Sequence, residues 1–394
     1  MKNKKYFFLP YLIIFSLIPL NTYSSTSGEG NEAVVHVWEM QEITLSTERK
    51  YNNYYTEITC WIDLVGPNFS RRIYGFWNGE NKFTFRFVGT TPGKWHWTSG
   101  SNQTNEAGLN GHSGEFVAIA WTDEEKKQNK NRHGFISPTA NGHALQYADG
   151  TPFFMVGDTW LAGATWRLPF RGVPGTKNYI PGPGIGFEDA VIYRKEQGYN
   201  SVSLISSFPN WESDSNASTY ADTNGVFLRN AWEKFGYQVG EGEVTAKNMR
   251  DELGNLPFEM SLEHKGVSDF NKINPEYFRS LDKKMQYLSD IGFTALLETV
   301  RRDVAPSWKA YFDFNESFAR YVQYLISRYG AYNIIFSGIH LDWIPEKYSL
   351  TADEFNEALT YHVKKYGPLP FGQPHTSLII RPIDSLVIGR RVHG

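Results

Sequence analysis

The chain has 394 residues, 41% of them hydrophobic, which allows two or three domains with sizeable cores. Its formal net charge of −3 lacks the lysine and arginine surplus that phosphate recognition needs, and so argues against a nucleic-acid binder. Aromatic residues reach 16%, including twelve tryptophans, an excess that fills cores and also offers flat faces for sugar rings.

Met1-Lys-Asn-Lys-Lys5, the almost wholly apolar run from Tyr6 to Leu20, and a polar stretch to Ser25 have the three-part form of a secretory signal peptide. A run of about 15 apolar residues is short against the roughly 20 that span a bilayer, so cleavage over 1–25 and no later membrane attachment are expected. Cys60 is the single cysteine, so no intrachain disulfide and no thiolate metal cluster can form. The expected location is periplasmic or secreted.

From about Ala33 to Trp121 the apolar period is two. Ile58, Cys60, Ile62 and Leu64 alternate with polar neighbours, as do Phe83, Phe85 and Phe87, which reads as half-buried strands. Thr91-Pro-Gly-Lys94 has the composition of a type II turn and is expected to join the Phe83 strand to Trp95-His-Trp97 as a hairpin. Residues 30–123 are therefore expected to form an antiparallel β-sandwich with a supporting role. A charged connector, Thr122 to His133, leads to a second domain over 132–394. That domain opens with a hairpin around Asn141-Gly142 that is placed at its floor.

Beyond Pro152 strands and helices alternate. Strands are read at 153–158, 200–205, 293–300, 333–343 and 374–380. Helices are read at 187–197, from Asn274-Pro275 to Gly292, from 315 to Gly330, and from the capping box at Thr351. The long polar and aromatic segment from 206 to 272 is expected to wall a substrate cleft. The fold class is multidomain, β then α/β, with the sandwich followed by an incomplete TIM-type (β/α) barrel: eight strands are required and residues 381–394 are too few to supply three more units.

Five segments carry a family resemblance: Tyr74-Gly-Phe-Trp77, Tyr147-Ala-Asp-Gly-Thr-Pro-Phe-Phe154, Gly157-Asp-Thr-Trp160, Glu298-Thr-Val-Arg-Arg-Asp303 and Ile335-Phe-Ser-Gly-Ile-His-Leu-Asp-Trp343. Together they resemble bacterial glycoside hydrolases with an apiosidase-like barrel behind an N-terminal β-sandwich of unknown function. The resemblance runs from about residue 33 to 378. It implies cleavage of O-glycosidic bonds in plant or algal polysaccharide or oligosaccharides, with a late-strand glutamate beyond residue 394 as one catalytic carboxylate. A chain without that region is alternatively a non-catalytic carbohydrate-binding protein or an inactive fragment.

Glycoside cleavage usually needs two carboxyl groups, one to donate a proton and one to attack or to activate water. Asp342, at the end of the fourth strand where similar proteins carry an acid, is the candidate donor, with Trp343 as the apolar neighbour that raises its pKa. A helix-capping role for Asp342 stays open. Glu298 lies within an apolar run and needs a partner, for which Arg301 or Arg302 is the natural choice. It is the in-chain candidate for the second carboxylate, a structural ion pair being the alternative. Asp158 beside Trp160 suits gripping a sugar, or capping the loop. His340 either orients Asp342 and bonds substrate or is a core residue. Trp166, Trp211 and Trp308 follow strands one to three and form sugar subsites or merely pack. No histidine pair has zinc spacing and no glycine-rich phosphate loop follows a strand, so no cofactor and no metal is implied. The sequence carries no signal for oligomeric state.

Overall fold

The computed structural model describes residues 33–166, 168–172, 184–207, 220–221, 227–228, 250–264, 268–300, 305–341 and 351–379. The segment 1–25 read as a signal peptide, Trp211, Arg301, Arg302, Asp342 and Trp343 lie outside them.

The N-terminal part comprises β1 (Ala33–His36), β2 (Gln41–Ser46), α1 (Tyr54–Glu57), β3 (Cys60–Gly66), β4 (Phe69–Tyr74), β5 (Phe76–Trp77), β6 (Lys82–Phe87), β7 (Gly93–Ser101) and β8 (Ser113–Ile119). They form a five-stranded sheet, β1-β8-β7-β3-β4, and a three-stranded sheet, β2-β6-β5. Period-two alternation aims Ile62, Leu64, Trp95 and Phe116 from the first and Leu45, Phe83, Phe85 and Phe87 from the second into one buried cluster.

The expected hairpin between the Phe83 strand and Trp95 is not formed. β6 pairs with β2 and β5, whereas β7 pairs with β3 and β8, so residues 88–92 carry the chain from one sheet to the other. Both strands send bulky rings into the shared interior, where Phe87 meets Phe116 and Phe116 stacks on Trp95. Thr84 and Arg86 are buried too, because the outer face of β6 is covered by the second part of the chain.

The connector folds as α2 (Asp123–Gln128), capped by Thr122 and Glu125, and a 3₁₀ turn at Lys130–His133. After it, β9 (Ile136–Pro138), β10 (Leu145–Tyr147) and β11 (Pro152–Phe153) make a small antiparallel sheet. Asn131 donates to the Phe293 carbonyl and accepts from Asn333, whose side-chain oxygen takes the Ile136 N–H. Phe293 and Asn333 precede the next parallel strands, so this unit sits against their N-terminal ends, as a floor does.

The remaining elements are β12 (Gly157–Thr159), α3 (Phe187–Glu196), β13 (Ser201–Ile205), two short hairpins, β14 (Tyr220–Ala221) with β15 (Phe227–Leu228) and β16 (Phe258–Met260) with β17 (Ser268–Ile273), then α4 (Pro275–Asp290), β18 (Thr294–Glu298), α5 (Ala305–Tyr311), α6 (Phe314–Tyr329), β19 (Ile334–Leu341), α7 (Ala352–Tyr366) and β20 (His375–Ile379). β12, β13, β18, β19 and β20 form one parallel sheet in sequential order. Phe153 is not in it: it pairs in the floor sheet, and the first parallel strand begins only at Gly157. Each strand lies beside its predecessor, without the reversal of order that marks a doubly wound sheet.

The register separates two faces. Val202, Leu204, Ala295, Leu297, Ile334 and Phe336 face the helices and share a core with Leu281 and Met285 of α4 and Val322 and Leu325 of α6. Ser201, Ser203, Thr294, Glu298 and Ser337 take the other face. The helices start where local chemistry places them: Asn274 caps α4 ahead of Pro275, Asp313 caps α6, and Thr351 with Glu354 makes a capping box for α7. The end of the long insertion is core rather than cleft wall, since Phe258 and Phe270 are fully buried. Trp308 is likewise no sugar platform. It is 0% exposed, its ring stacks on Phe270 with centroids 3.8 Å apart, and its Nε1 donates to Ser317 Oγ at 2.6 Å.

Candidate active site

Glu298 closes β18 at the C-terminal end of the sheet, on the face turned from the helices. It is 0% exposed, and both carboxylate oxygens are held: Ser203 Oγ donates to Oε1 at 2.6 Å and His340 bonds Oε2 through Nδ1. In this contact the carboxylate oxygen is the acceptor and His340 Nδ1 the donor.

His340 reaches Glu298 because β19 is irregular. Ser337 pairs with Thr376 and His340 with Leu378, so β19 uses three residues where β20 uses two. Strict alternation from Ser337, the neighbour of Glu298, would turn residue 340 toward the helices, and the extra residue turns it back. The strand ends are locked beneath the pair. Thr299 Oγ1 donates to the Gly338 carbonyl at 2.7 Å, and the Thr299 carbonyl accepts from Ser206 Oγ at 2.8 Å and from Tyr321 Oη at 3.1 Å. Burial pushes the Tyr321 phenol well up, so it stays a donor.

The arginine partner foreseen for Glu298 lies outside the described residues, and the contacts found are a hydroxyl and an imidazole. Ser203 was not singled out in advance, although serines at 201 and 203 alternating with Val202 and Leu204 mark a polar inner face. Each Glu298 oxygen accepts one of these bonds and keeps a second lone pair, and with the side chain 0% exposed the geometry suits a residue that positions His340.

Asp158 does not join this group. It pairs with Val202, which continues to Ala295 and Ile334, and so stands on the helix-facing side. Along the strand it is three residues, about 10 Å, nearer the N-terminal end than Glu298. Its carboxylate accepts from Arg194 Nε of α3 at 2.6 Å, from Trp160 Nε1 at 3.0 Å and from the Thr159 N–H at 2.9 Å. Burial opposes ionisation, but the bonds from Trp160, Thr159 and Arg194 outweigh it and hold the carboxyl below the usual range. The Trp160 ring packs edge-on against Phe187, also in the helix layer. The parity of a three-residue strand thus turns Asp158 away from Glu298, and its bond from the Thr159 N–H fits the loop-capping alternative rather than a sugar grip beside Glu298.

Trp166 is half-buried on the loop after β12, with its N–H bonded to the Arg250 carbonyl at 2.8 Å. That loop is pinned by the buried Lys284, whose Nζ donates to the carbonyls of Gly163 at 2.9 Å and Leu168 at 2.8 Å. Burial brings the Lys284 amine down to about 8. Among the described residues, no group of three or more His, Cys, Asp or Glu side chains is arranged to hold a metal ion.

The profile of the apiosidase-like catalytic domain matches residues 139–366, more than half of the chain. The chain belongs to the apiosidase-like family. Within this apiosidase-like segment fall β12 to β19, and with them Ser203, Glu298 and His340. A domain of unknown function, DUF5060, matches residues 34–102, which run from β1 past the end of β7. The chain is similar to the crystal structure of a candidate glycoside hydrolase from Bacteroides vulgatus ATCC 8482, at 20% identity and a TM-score of 0.58, covering 88% of this chain and 56% of that one. A family 5 glycoside hydrolase from the same organism matches at 13% identity and a TM-score of 0.34, over 63% of this chain and 40% of that one. A family 5 xyloglucanase from Bacteroides ovatus, in complex with a heptasaccharide, matches at 11% identity and a TM-score of 0.28, over 88% and 63%. The chain thus spans little more than half the length of the first of these proteins. No curated protein matches it.

Proposed function

We propose that this apiosidase-like chain is an exported glycoside hydrolase, or part of one, that cleaves O-glycosidic bonds in plant or algal polysaccharide or its oligosaccharides. In this reading a β-sandwich over 30–123 supports an incomplete (β/α) barrel over 132–394, and the protein works in the periplasm or outside the cell after loss of residues 1–25. The observation that carries the proposal is the Ser203–Glu298–His340 cluster. It is a buried carboxylate, bonded at both oxygens, that holds an imidazole at the C-terminal end of parallel strands, where barrel enzymes keep their chemistry.

Asp342 follows His340 by two residues in sequence and is the assigned proton donor, with Trp343 as its apolar neighbour. His340, oriented by Glu298, bonds a sugar hydroxyl beside it. The attacking carboxylate is assigned outside the described residues, because Glu298 is enclosed. Trp166, Trp211 and Arg301 remain candidates to line the sugar path.

The test is release of reducing sugar from a panel of plant and algal polysaccharides. Asp342→Asn is expected to lower turnover by about 10²- to 10⁴-fold, the range of general acid catalysis, with oligosaccharide affinity retained. Unchanged turnover would remove Asp342 from the mechanism. Glu298→Ala is expected to lose activity without recovery or glycosyl azide formation when azide is added. Glycosyl azide would make Glu298 the nucleophile after all. Binding with no product from any polysaccharide would leave a carbohydrate-binding protein.

A further inference from the structure

Lys284 stands where the apolar stripe of α4 calls for a hydrophobic side chain, beside Met285 and between Leu281 and Leu288, all of them core. It is 1% exposed, with Nζ 5.6 Å from the centre of the Phe187 ring at the start of α3. A buried cation is costly unless it is bonded, and an enclosed head group cannot snorkel to water. Both of its bonds go to the loop after β12, to the carbonyls of Gly163 at 2.9 Å and Leu168 at 2.8 Å. A methionine would fill the same space with no charge to desolvate. What the ammonium group adds is the pair of carbonyl bonds and the loop conformation they fix.

Ser280, one turn earlier on the same face of α4, does the same for a second loop. It is 2% exposed, and its Oγ donates to Asp251 Oδ2 at 2.7 Å, near the end of the insertion that follows β13. Asp251 Oδ1 in turn accepts from the N–H groups of Leu253 at 2.9 Å and Asn255 at 2.7 Å, which shapes that end. The two loops are also bonded to each other: the Trp166 N–H donates to the Arg250 carbonyl at 2.8 Å, and the Phe170 N–H to the Glu252 carboxylate. Burial brings the Lys284 amine down to about 8, with Glu252 and Asp251 acting against that, so it is charged at neutral pH. Both loops leave the C-terminal ends of neighbouring parallel strands, the end where barrel enzymes bind substrate, and the first of them carries Trp166.

We infer that Lys284 is a positioning residue for substrate binding: its ammonium group latches the loop after β12, and with it Trp166, against the end of the insertion. The wall of the sugar path on the β12 side is thereby set before substrate arrives, which spares binding the cost of ordering it. The role in substrate binding rests on the hydrolase reading, whereas the latch rests on the geometry of α4 and the two loops.

Amide hydrogen exchange of the full chain, read by mass spectrometry, tests it in Lys284→Met, which fills the site without donors. Exchange across 163–170 is expected to rise about tenfold or more over the unsubstituted chain, with β18 unchanged. On an oligosaccharide that the chain cleaves, KM is expected to rise by about the same factor with kcat within about twofold, since the loop holds substrate and takes no part in the chemistry. Exchange at the unsubstituted level overturns the inference, as does raised exchange with KM unchanged. A kcat that falls at constant KM marks loss of folded enzyme and overturns it too. Should Lys284→Met fail to fold, Lys284→Gln, which keeps two N–H donors without the charge, carries the same comparison. A chain that cleaves none of the polysaccharides sinks the hydrolase reading, and the exchange comparison then decides the latch by itself.

Discussion

Glu298 is 0% exposed, and a buried polar side chain is costly unless its oxygens are met, as Ser203 and His340 meet them here. His340→Ala should therefore leave Oε2 unpaired and cost about 1–3 kcal/mol of folding stability, the usual penalty for a stranded buried acceptor. Urea unfolding reads this directly, and the double variant with Ser203→Ala should depart from additivity because both residues serve one carboxylate. An unaltered midpoint in His340→Ala would mean that water replaces the imidazole at no cost. The need for a partner was visible in sequence, since an acid stood in the apolar run before Val300. The partner was not, because the contact crosses strands and depends on an extra residue in β19 that no local composition marks. Asp158 misled for a related reason: the apolar residues before it looked like one strand, but Phe153 pairs in the floor sheet, and what remains is too short to bring the acid to the mouth.

Elements were legible where their cause is local. The starts of α4 and α7 follow from Asn274-Pro275 and from Thr351 with Glu354, and both are found there. The β6–β7 connection was not, since a turn sequence states that the chain reverses without naming the sheet it enters. Pairing between α6 and α7 shows how far neighbouring elements reset a residue's chemistry. His362 of α7 bonds Gln323 Oε1 of α6 through Nε2 at 2.9 Å, and burial, with a smaller contribution from His375, brings its pKa down to about 3. Above the ordinary imidazole pKa the ring is neutral in both folded and unfolded chains and adds no pH dependence. As pH falls from there toward 3 the unfolded chain takes up a proton that the folded one refuses, and stability drops by up to about 1.4 kcal/mol per pH unit. His362→Gln should flatten that acid limb in urea midpoints measured between pH 7 and pH 4. An equally steep limb in the variant would assign the loss to other groups.

At the scale of the whole molecule, one buried network ties the N-terminal sheets to the α/β part. Asp282 of α4 accepts from Arg328 of α6 through Nε and Nη2, both at 2.8 Å, and from Arg86 of β6 through Nη2 at 2.9 Å and Nη1 at 3.2 Å. Arg86 also donates to Glu42 at 2.7 Å and to the Arg328 carbonyl at 2.9 Å, and both guanidinium groups lie over the Phe76 ring. Two cations meet two carboxylates, so the charge balances. Burial opposes ionisation of Asp282, but Arg328 and Arg86 overcome it and hold the carboxyl far below its ordinary range. None of this was readable in advance: Arg86, between Phe85 and Phe87, had the place of a solvent-facing residue, and only a covering domain makes that face interior. Asp282→Asn should thus remove one charge from a balanced set and leave two buried arginines facing Glu42 alone, at a cost of about 3–5 kcal/mol. Since the network spans the junction, the variant is expected to unfold in two steps, with tryptophan fluorescence and far-ultraviolet circular dichroism no longer coincident in urea. A single coincident transition near the wild-type midpoint would show that the apolar contacts around α6 hold the two parts together without the ions.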